Sequence, residues 1–385
     1  MHKKTILIIE PQVLGHHKSY LKLVVESFLL NYNVIIGTIS ENETLIKEGI
    51  DNKNIDVLSV NAINYRRHKL SNRVRILFSH YVELKLYKEI YQKASKIHDI
   101  DHVFFPYIDI ILLPLIISIR PFGSSMYSGI SMRTWLSNLY DNQGCASGYK
   151  FKDLLFKLFL SKRKLVKIFH LEKELVNKVE NCKVLYLPDP ILNYRECDVL
   201  SQSNDPHPLL LNRIKVLVIG AISERKNILP LFREVVEGNF INIELSLIGV
   251  HNVESFCKLT KSYMNILIER GQLISVDRYV DDKIFAQEFC KCNFVWAAYK
   301  NHVGSSSIFL HALAYGKPVI VNECTNSSYI AKNLDCGFVL NDEMSNLNSV
   351  LSQLNTDHVI SKSVIYRIKK EHSVEEFSRV FNDFL

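Results

Sequence analysis

Three groups of residues combine types and spacings that suit chemistry, and the first opens a short apolar helix in the second half of the chain. It consists of small residues: Gly304, Ser305, Ser306 and Ser307. Serine caps helices, and the free amides and positive dipole end of a helix start attract anions, so the pattern predicts a phosphate or diphosphate site. Gly316 ends the helix, and a strand follows. The alternative is an ordinary α/β loop with a serine cap.

The second group is a pair of cations, Arg225 and Lys226, in the loop after the predicted strand 214–220. Two cations can neutralise the charge that builds on a departing diphosphate, which is the main electrostatic task of group transfer without a metal. Alone, such a pair is typical of an exposed loop. Combined with the serine-rich helix start, it predicts a diphosphate site.

The third group lies in the first loop of the chain, where Gly15, His16 and His17 follow the apolar run 5–9. Ligands of open α/β sheets bind at the carboxyl ends of the strands, and this loop leaves such an end. Either histidine can donate a hydrogen bond to a phosphate or act as a catalytic base. The alternative is a pair of exposed histidines at a helix start.

Two further side chains follow predicted strands in the first half of the chain. Asp109 comes after the apolar residues 103–105 and is a candidate catalytic carboxylate, and Arg133 comes after the segment 128–132 and is a candidate cation of the same region. An Asp-x-Asp pattern at 99–101 is typical of metal-dependent transferases, but it precedes a strand instead of ending one. We therefore expect no metal and no bound cofactor.

These groups need a scaffold that presents loops at strand ends, and the chain alternates apolar strands with amphipathic helices. Strand 5–9, helix 19–30 and strand 33–38 open a Rossmann-like domain, and the order of elements predicts an α/β fold. No Gly-x-Gly-x-x-Gly follows the first strand, which argues against a NAD-dependent oxidoreductase.

The domain boundary is marked by a loss of apolar pattern after the strand that Pro188 and Pro190 close. A chain of 385 residues is long enough for two domains of ordinary size. We predict four segments: an N-terminal domain at residues 1–190, a linker at 191–212, a C-terminal domain at 213–370 and a final helix at 371–385.

The segment 304–320 resembles the donor-binding segment of GT-B glycosyltransferases, the group 1 or family 4 enzymes related to glycogen synthase and to bacterial polysaccharide transferases. The resemblance implies two Rossmann-like domains facing a central cleft, a nucleotide-sugar donor, retention of the anomeric configuration and a final helix that crosses back to the first domain. Lys226 matches the lysine with which the family grips the diphosphate, and Arg225 stands in for an earlier arginine. Where family members carry two glutamates, this chain has Val303 and His311.

The same resemblance assigns further contacts to the donor and the acceptor. His311 would replace the glutamate that holds the ribose, Tyr279 would stack on the nucleotide base, and His302 would contact the donor sugar. Arg133 would lie on the acceptor side, and Gly15 would belong to the loop that faces the diphosphate.

Composition limits the cellular context. The chain is 47% hydrophobic and 23% charged, as in an ordinary globular protein, and its first apolar run is too short for a signal peptide. Eight cysteines without a Cys-x-x-Cys pair give little support to a zinc site, so we expect a cytoplasmic protein with reduced thiols. The apolar residues 103–119 contain Asp109 and two prolines, and they predict a buried strand and helix in preference to a membrane span.

Basic residues are concentrated in the first half of the chain, where residues 1–190 hold 27 Lys and Arg against 18 Asp and Glu. Residues 150–169 place apolar side chains at helical spacing with lysines between them, which predicts an amphipathic helix that either packs on the core or lies on an anionic membrane. The basic run 65–75 is either an exposed face or a contact loop. Net charge is the sole indication of nucleic-acid binding, and we expect no nucleic-acid partner.

The family resemblance, together with these features, implies a glycosyltransferase that moves a sugar from a nucleotide-sugar donor to a hydroxyl of a glycan or lipid-linked acceptor. The expected setting is the synthesis of a bacterial surface polysaccharide, such as capsule or lipopolysaccharide, by a cytoplasmic enzyme that is peripheral on the inner face of the membrane. Two alternatives remain open. One is a nucleotide-sugar epimerase of the same fold, and the other is a non-catalytic binding subunit of a glycan assembly complex.

Overall fold

The chain forms two compact units, Met1–Pro188 with Val374–Leu385, and Asp189–Ser373. Gly15 and the side chain of His16 lie outside the described residues, as do most of the basic run 65–75 and of the predicted linker 191–212. The computed structural model describes residues 3–12, 16–50, 55–62, 72–136, 139, 148–192, 194–195 and 213–382.

The first unit is built on a seven-stranded sheet. Its strands are β1 (Thr5–Ile9), β2 (Asn33–Ile39), β3 (Asp56–Val60), β4 (His102–Phe105), β5 (Met126–Ser131), β6 (Leu165–His170) and β7 (Val184–Tyr186). Every neighbouring pair is parallel, and the spatial order is β3-β2-β1-β4-β5-β6-β7. The order of the strands reverses between β1 and β4, which is where open α/β sheets bind ligands.

The helices of the first unit pack on both faces of this sheet. They are α1 (His16–Leu29), α2 (Glu43–Gly49), α3 (Asn72–Ser95), α4 (Leu112–Ile117), α5 (Gly148–Leu160), α6 (Lys173–Val179) and α14 (Val374–Asn382). Neighbouring strand residues point to opposite faces, so Phe105 joins the core formed with α3 to α6, whereas Phe104 packs on Phe28 of α1 and Phe381 of α14. The end of the chain therefore completes the core of the first unit.

The second unit is built on a six-stranded parallel sheet in the order β10-β9-β8-β11-β12-β13. Its strands are β8 (Ile214–Ile219), β9 (Ile243–Gly249), β10 (Leu273–Asp277), β11 (Phe294–Trp296), β12 (Val319–Asn322) and β13 (Gly337–Leu340). Its helices are α7 (Ile228–Glu237), α8 (Lys258–Glu269), α9 (Asp282–Lys291), α10 (Ser307–Ala314), α11 (Asn326–Leu334), α12 (Leu347–Gln353) and α13 (Lys362–Glu371). Two wholly parallel Rossmann-like sheets confirm the predicted α/β class.

The predicted amphipathic helix at 150–169 is only half correct. Helix α5 ends at Leu160, and Leu165 begins the buried strand β6. Phe159 near the end of α5 and Phe169 in β6 are both fully buried, so these two aromatic side chains belong to the core. The sequence pattern did not reveal the break between α5 and β6, because a short buried strand and a buried helix segment have similar apolar patterns.

The structure bears on two further expectations, one about membrane-spanning helices and one about the state of the cysteines. In the described part of the chain, no helix is long and apolar enough to cross a membrane. The expectation of reduced thiols throughout is wrong at one position, because Cys290 is disulfide-bonded, whereas Cys182, Cys257, Cys292 and Cys336 are free.

Candidate functional site

Two glycines form the floor of the site in the second unit. Gly220 directly follows β8, and Gly249 is the last residue of β9. Both residues have a positive φ, 104° for Gly220 and 130° for Gly249. A Cβ on Gly249 would lie 2.0 Å from the carbonyl oxygen of Gly220, so only glycine permits this approach. The Nζ of Lys226 and the Cδ1 of Ile308 lie 3.7 Å and 3.9 Å from the position that a Cβ on Gly220 would take, so Lys226 and the first turn of α10 meet at this floor.

Lys226 brings a buried ammonium group to this floor. It ends a single turn of 3-10 helix, and only 2% of the residue is exposed. Its Nζ donates to the carbonyl oxygen of Ile219 at 2.8 Å and to the hydroxyl of Tyr299 at 3.0 Å. Among the described residues no carboxylate forms an ion pair with it. An ammonium has three N–H donors, and the described residues supply hydrogen-bond acceptors for two of them.

The two predicted cations lie close to the ring of Tyr299. The Nζ of Lys226 lies 4.2 Å and the guanidinium carbon of Arg225 lies 5.6 Å from the ring centroid. The ring of His302 lies 5.6 Å away, and its Nε2 donates to the carbonyl oxygen of Ser305 at 3.0 Å. Burial, and then the charge of Arg225, lowers the pKa of His302, so the imidazole is neutral. Sequence reasoning missed Tyr299, because a tyrosine at a strand end has no local signature.

The serine-rich loop forms the predicted helix start. Ser306 is the N-cap of α10, and its hydroxyl accepts a hydrogen bond from the amide of Phe309 at 3.4 Å. Gly304 is buried, whereas Ser307, the first residue of the helix, is exposed. The loop that carries His302 therefore leads directly into the free amides and the positive dipole end of α10. The His302 ring also lies beside the ring of Tyr299.

His311 is placed differently from the role that the resemblance implies. It is 5% exposed, and its Nδ1 lies 2.8 Å from the carbonyl oxygen of Ser307. Its Nε2 lies 2.9 Å from the carbonyl oxygen of Leu192. Both ring nitrogens face backbone oxygens, so a contact with a ribose would have to replace one of these two backbone contacts. Tyr279 is 81% exposed beyond β10, and base stacking there stays a prediction.

Asp189 is a residue of this site that sequence reasoning missed. Its Oδ2 accepts a hydrogen bond from the hydroxyl of Ser305 at 2.9 Å, and its backbone oxygen lies 2.9 Å from Nδ1 of His372. Only 7% of the residue is exposed. Asp189 therefore ties the serine-rich loop to both ends of the second unit, and its partners are too distant in sequence for any local pattern to reveal.

A second cluster lies at the carboxyl ends of β1 and β4 in the first unit. Nδ1 of His17, at the start of α1, lies 3.3 Å from Oε2 of Glu10, a residue that is 2% exposed. The ring of His17 packs edge-on against Tyr107 with centroids 5.5 Å apart. The Tyr107 hydroxyl accepts a hydrogen bond from Nε of Arg133 at 3.1 Å. The structure thus brings the predicted residues His17 and Arg133 together through Tyr107.

Asp109 anchors the loop that carries Arg133. It is fully buried, and its Oδ2 accepts hydrogen bonds from the amides of Met132 at 2.7 Å and Arg133 at 3.2 Å. Its Oδ1 accepts from the Ser131 hydroxyl at 2.8 Å and from the Trp135 indole at 2.7 Å. Burial raises the pKa of Asp109, and these donors oppose the shift. With two donors on each carboxylate oxygen, Asp109 positions this loop, and a catalytic role for Asp109 stays a prediction.

His170 fixes the same loop from the end of β6. Its Nδ1 accepts from the amide of Glu172 at 3.0 Å, so Nε2 carries the proton and donates to the carbonyl oxygen of Arg133 at 3.0 Å. Complete burial lowers the pKa of His170 to about 4, which keeps it neutral. The backbone of Arg133 is therefore held on both sides, and its exposed guanidinium has a fixed base.

Metal ligands are not grouped in the described part of the chain, where no three His, Cys, Asp or Glu side chains could hold an ion. Reaction without a metal stays a prediction. The described cations and helix start are suited to an anion, and the Glu10–His17 pair is suited to proton transfer.

Comparisons with known proteins support the fold. No family model and no curated protein matches the chain. Among solved structures, sucrose-phosphate synthase from Thermosynechococcus elongatus is 12% identical over 99% of this chain and 98% of its own, with a TM-score of 0.68. HepE from Anabaena, solved with UDP and glucose, is 12% identical over 99% of both chains, with a TM-score of 0.62. WaaG, a glycosyltransferase involved in lipopolysaccharide biosynthesis, is 12% identical over 98% of both, with a TM-score of 0.59. At these identities the likeness establishes the GT-B fold.

Proposed function

We propose that this protein is a glycosyltransferase that moves a sugar from a nucleotide-sugar donor to a hydroxyl of a glycan or lipid-linked acceptor. The observation that carries the proposal is the buried ammonium of Lys226, for which the described residues supply only neutral acceptors. Taking an ammonium out of water costs several kcal/mol unless an anion compensates it. A diphosphate at the start of α10 is the anion that the surroundings fit.

The chemistry of glycosyl transfer explains the other groups of the second unit. When the bond between the sugar and the diphosphate breaks, its electron pair stays on the nucleoside diphosphate, whose negative charge increases. Lys226, Arg225 and the amide end of α10 stabilise that charge, which is the task that a metal performs in other transferases. The relation to HepE, which was solved with UDP and glucose, supports a nucleotide-sugar donor.

The clusters of the first unit suit the acceptor. Arg133 presents an exposed guanidinium on a loop that Asp109 and His170 hold, and Tyr107 fixes its Nε. A guanidinium held in this way can orient a hydroxyl-bearing glycan or an anionic group on it. The relation to WaaG supports a place in surface-polysaccharide synthesis.

Thermal melting with nucleotides tests the donor site. We expect one of UDP, GDP, ADP and CMP to raise the melting temperature, since a ligand that binds only the folded state stabilises it by about 2.7 kcal/mol at 100 times its Kd. The shift should be the same with magnesium and with EDTA, because protein cations hold the diphosphate. If none of the four shifts the melting temperature at millimolar concentration, the donor site is wrong.

A lipid-linked acceptor would bring the protein to a membrane, and α5 is the surface that suits it. Phe151, Leu154 and Leu158 are 62%, 52% and 44% exposed and form one stripe, and Lys152 and Lys157 are exposed beside it. An apolar stripe flanked by lysines fits the interface of an anionic bilayer. We call this stripe and its two lysines the α5 patch.

Vesicle flotation tests the α5 patch. Wild-type protein should float with phosphatidylglycerol vesicles and less with phosphatidylcholine vesicles, and the double variant Phe151→Ser/Leu158→Ser should lose most of this binding. The matched control is Leu259→Ser/Ile268→Ser on α8, where both side chains are also exposed, at 60% and 48%. Equal flotation of the two double variants would exclude the α5 patch as the contact.

A further inference from the structure

Asp189 is a carboxylate with a fixed position at the start of α10. Its Oδ2 accepts a hydrogen bond from the hydroxyl of Ser305 at 2.9 Å, and Ser305 directly precedes Ser306, the N-cap of the helix. The backbone oxygen of Asp189 accepts from Nδ1 of His372 at 2.9 Å, and the amide of Ile191 donates to the backbone oxygen of His372 at 2.8 Å. Backbone and side chain are both held, so the carboxylate stays beside the helix start.

Ser305 joins this carboxylate to the cluster around Tyr299. The carbonyl oxygen of Ser305 accepts from Nε2 of His302 at 3.0 Å, and the ring of His302 lies 5.6 Å from the ring of Tyr299. The charged groups of Lys226 and Arg225 lie 4.2 Å and 5.6 Å from the centroid of the same ring. A negative group and a positive cluster therefore meet at one serine, on the loop that opens α10.

The charge of Asp189 acts on any anion that binds at this helix start. The start of a helix stabilises negative charge, and Asp189 already supplies such a charge there. Only 7% of the residue is exposed, so water screens the carboxylate less than it screens a surface charge. The single hydroxyl proton of Ser305 goes to Asp189 and is not shared with a phosphate. The site therefore attracts a diphosphate through its cations and opposes each further negative charge.

Glycosyl transfer changes the charge of the nucleotide. The anomeric carbon passes from an oxygen of the terminal phosphate to the acceptor oxygen, the electron pair of the broken bond stays on the phosphate, and the acceptor releases its proton to the surroundings. The terminal phosphate, esterified with the sugar in the donor, then has a second acidic proton that dissociates at about pH 6. At neutral pH the product nucleotide therefore carries one more negative charge than the nucleotide-sugar.

We infer that Asp189 is a specificity-determining residue that distinguishes the nucleotide-sugar donor from the nucleotide product by their charge. This rests on the proposed glycosyl transfer, with the nucleotide bound at the start of α10. Because the product carries the additional charge, Asp189 repels the product more strongly than the donor and thereby favours release of the product. The cations give affinity for both ligands, and Asp189 lowers the affinity for the product relative to that for the donor.

The ratio of two dissociation constants tests this role. The nucleotide that raises the melting temperature is compared with its methyl ester on the terminal phosphate, which has the charge of a nucleotide-sugar and contains no sugar. Titration calorimetry at about pH 8 and low salt should give similar affinities in the wild-type protein. In Asp189→Asn, which keeps an oxygen for the Ser305 hydroxyl, we expect the affinity for the free nucleotide to rise about tenfold relative to that for the ester.

Asp357→Asn is the matched control. Asp357 is an exposed carboxylate of the same unit, next to His358. The ring of His358 lies 6.0 Å from that of Phe294, the first residue of β11, so Asp357 is at the opposite edge of the sheet from the start of α10. The ratio of dissociation constants in this variant should match that of the wild-type protein.

An unchanged ratio in Asp189→Asn would overturn the inference, because a residue with a structural role alone affects the nucleotide and its ester alike. If Asp189→Asn does not fold, the wild-type protein decides the question. Similar affinities there support the inference, and a preference of about tenfold or more for the free nucleotide contradicts it. Failure of UDP, GDP, ADP and CMP to bind either protein would defeat the proposed function together with this inference, whereas nucleotide binding with an unchanged ratio would defeat this inference alone.

Discussion

A Lys226→Met variant is expected to lose the stabilisation by nucleotide while its ligand-free form stays about as stable as the wild-type protein. Methionine fills the space of the lysine stem without its charge. The variant gives up hydrogen bonds to the Ile219 carbonyl and the Tyr299 hydroxyl, but it also removes the desolvation of a buried ammonium that no described carboxylate pairs with. Both effects amount to a few kcal/mol, and they oppose each other.

For nucleotide binding, in contrast, no second effect offsets the loss of the lysine. A charge-assisted hydrogen bond to a diphosphate contributes about 1.5 to 3 kcal/mol, so its loss should weaken nucleotide binding roughly 10- to 150-fold. Isothermal titration and melting measure the two quantities separately. Lys291→Met is the matched control, because Lys291 is an exposed lysine paired with Glu288 on α9. It should change neither quantity.

The two possible roles of Lys226 give opposite results. A structural lysine would leave nucleotide binding intact in the folded fraction and would destabilise the ligand-free protein by several kcal/mol when removed. A lysine whose partner is the donor diphosphate should give the reverse. Unchanged nucleotide affinity in Lys226→Met would therefore remove the main support for the donor site.

The serine-rich loop shows how far local sequence signals reach. Ser306 caps α10, Gly316 follows its end with a φ of 68°, and β12 begins at Val319, so the predicted loop, helix, turn and strand all form. Each of these features depends on a residue and its neighbours within four positions. The parallel sheets were predictable for a similar reason, since strands buried on both faces read as continuous apolar runs.

The parts of the site that sequence reasoning missed depend on distant partners. Asp189 meets Ser305, which is 116 positions away, and Tyr299 meets Lys226 at a distance of 73 positions. A spacing rule cannot reveal such pairs, because only the folded sheet brings the strand ends together. Asp109 illustrates the converse limit, a residue whose position suggests one role and whose distant partners indicate another. A carboxylate after a strand suggested catalysis, but its four donors come from a loop more than twenty positions further along the chain.

Replacing Phe381 with alanine is the change for which we expect the largest loss of stability. Phe381 lies on the final helix, α14, and is 2% exposed. Its ring centroid lies 4.7 Å from Phe169, 5.3 Å from Phe28 and 5.6 Å from Phe104. Removing a buried phenylalanine costs about 3 to 5 kcal/mol, because the transfer energy is lost and the rigid neighbours leave a cavity.

The location of the loss is as informative as its size. These rings belong to the first unit, so peptides from α1 and β4 should exchange their amide hydrogens faster in Phe381→Ala, whereas peptides from β8 to β12 should not. Urea unfolding gives the magnitude, and Tyr81→Ala, an exposed aromatic residue of α3, is the control that should stay within about 0.5 kcal/mol. Faster exchange in both units would mean that they unfold as one. A decrease in the free energy of unfolding of less than about 1 kcal/mol would mean that α14 does not hold the core of the first unit. Removing a ring from a well-packed aromatic cluster has a larger effect than that.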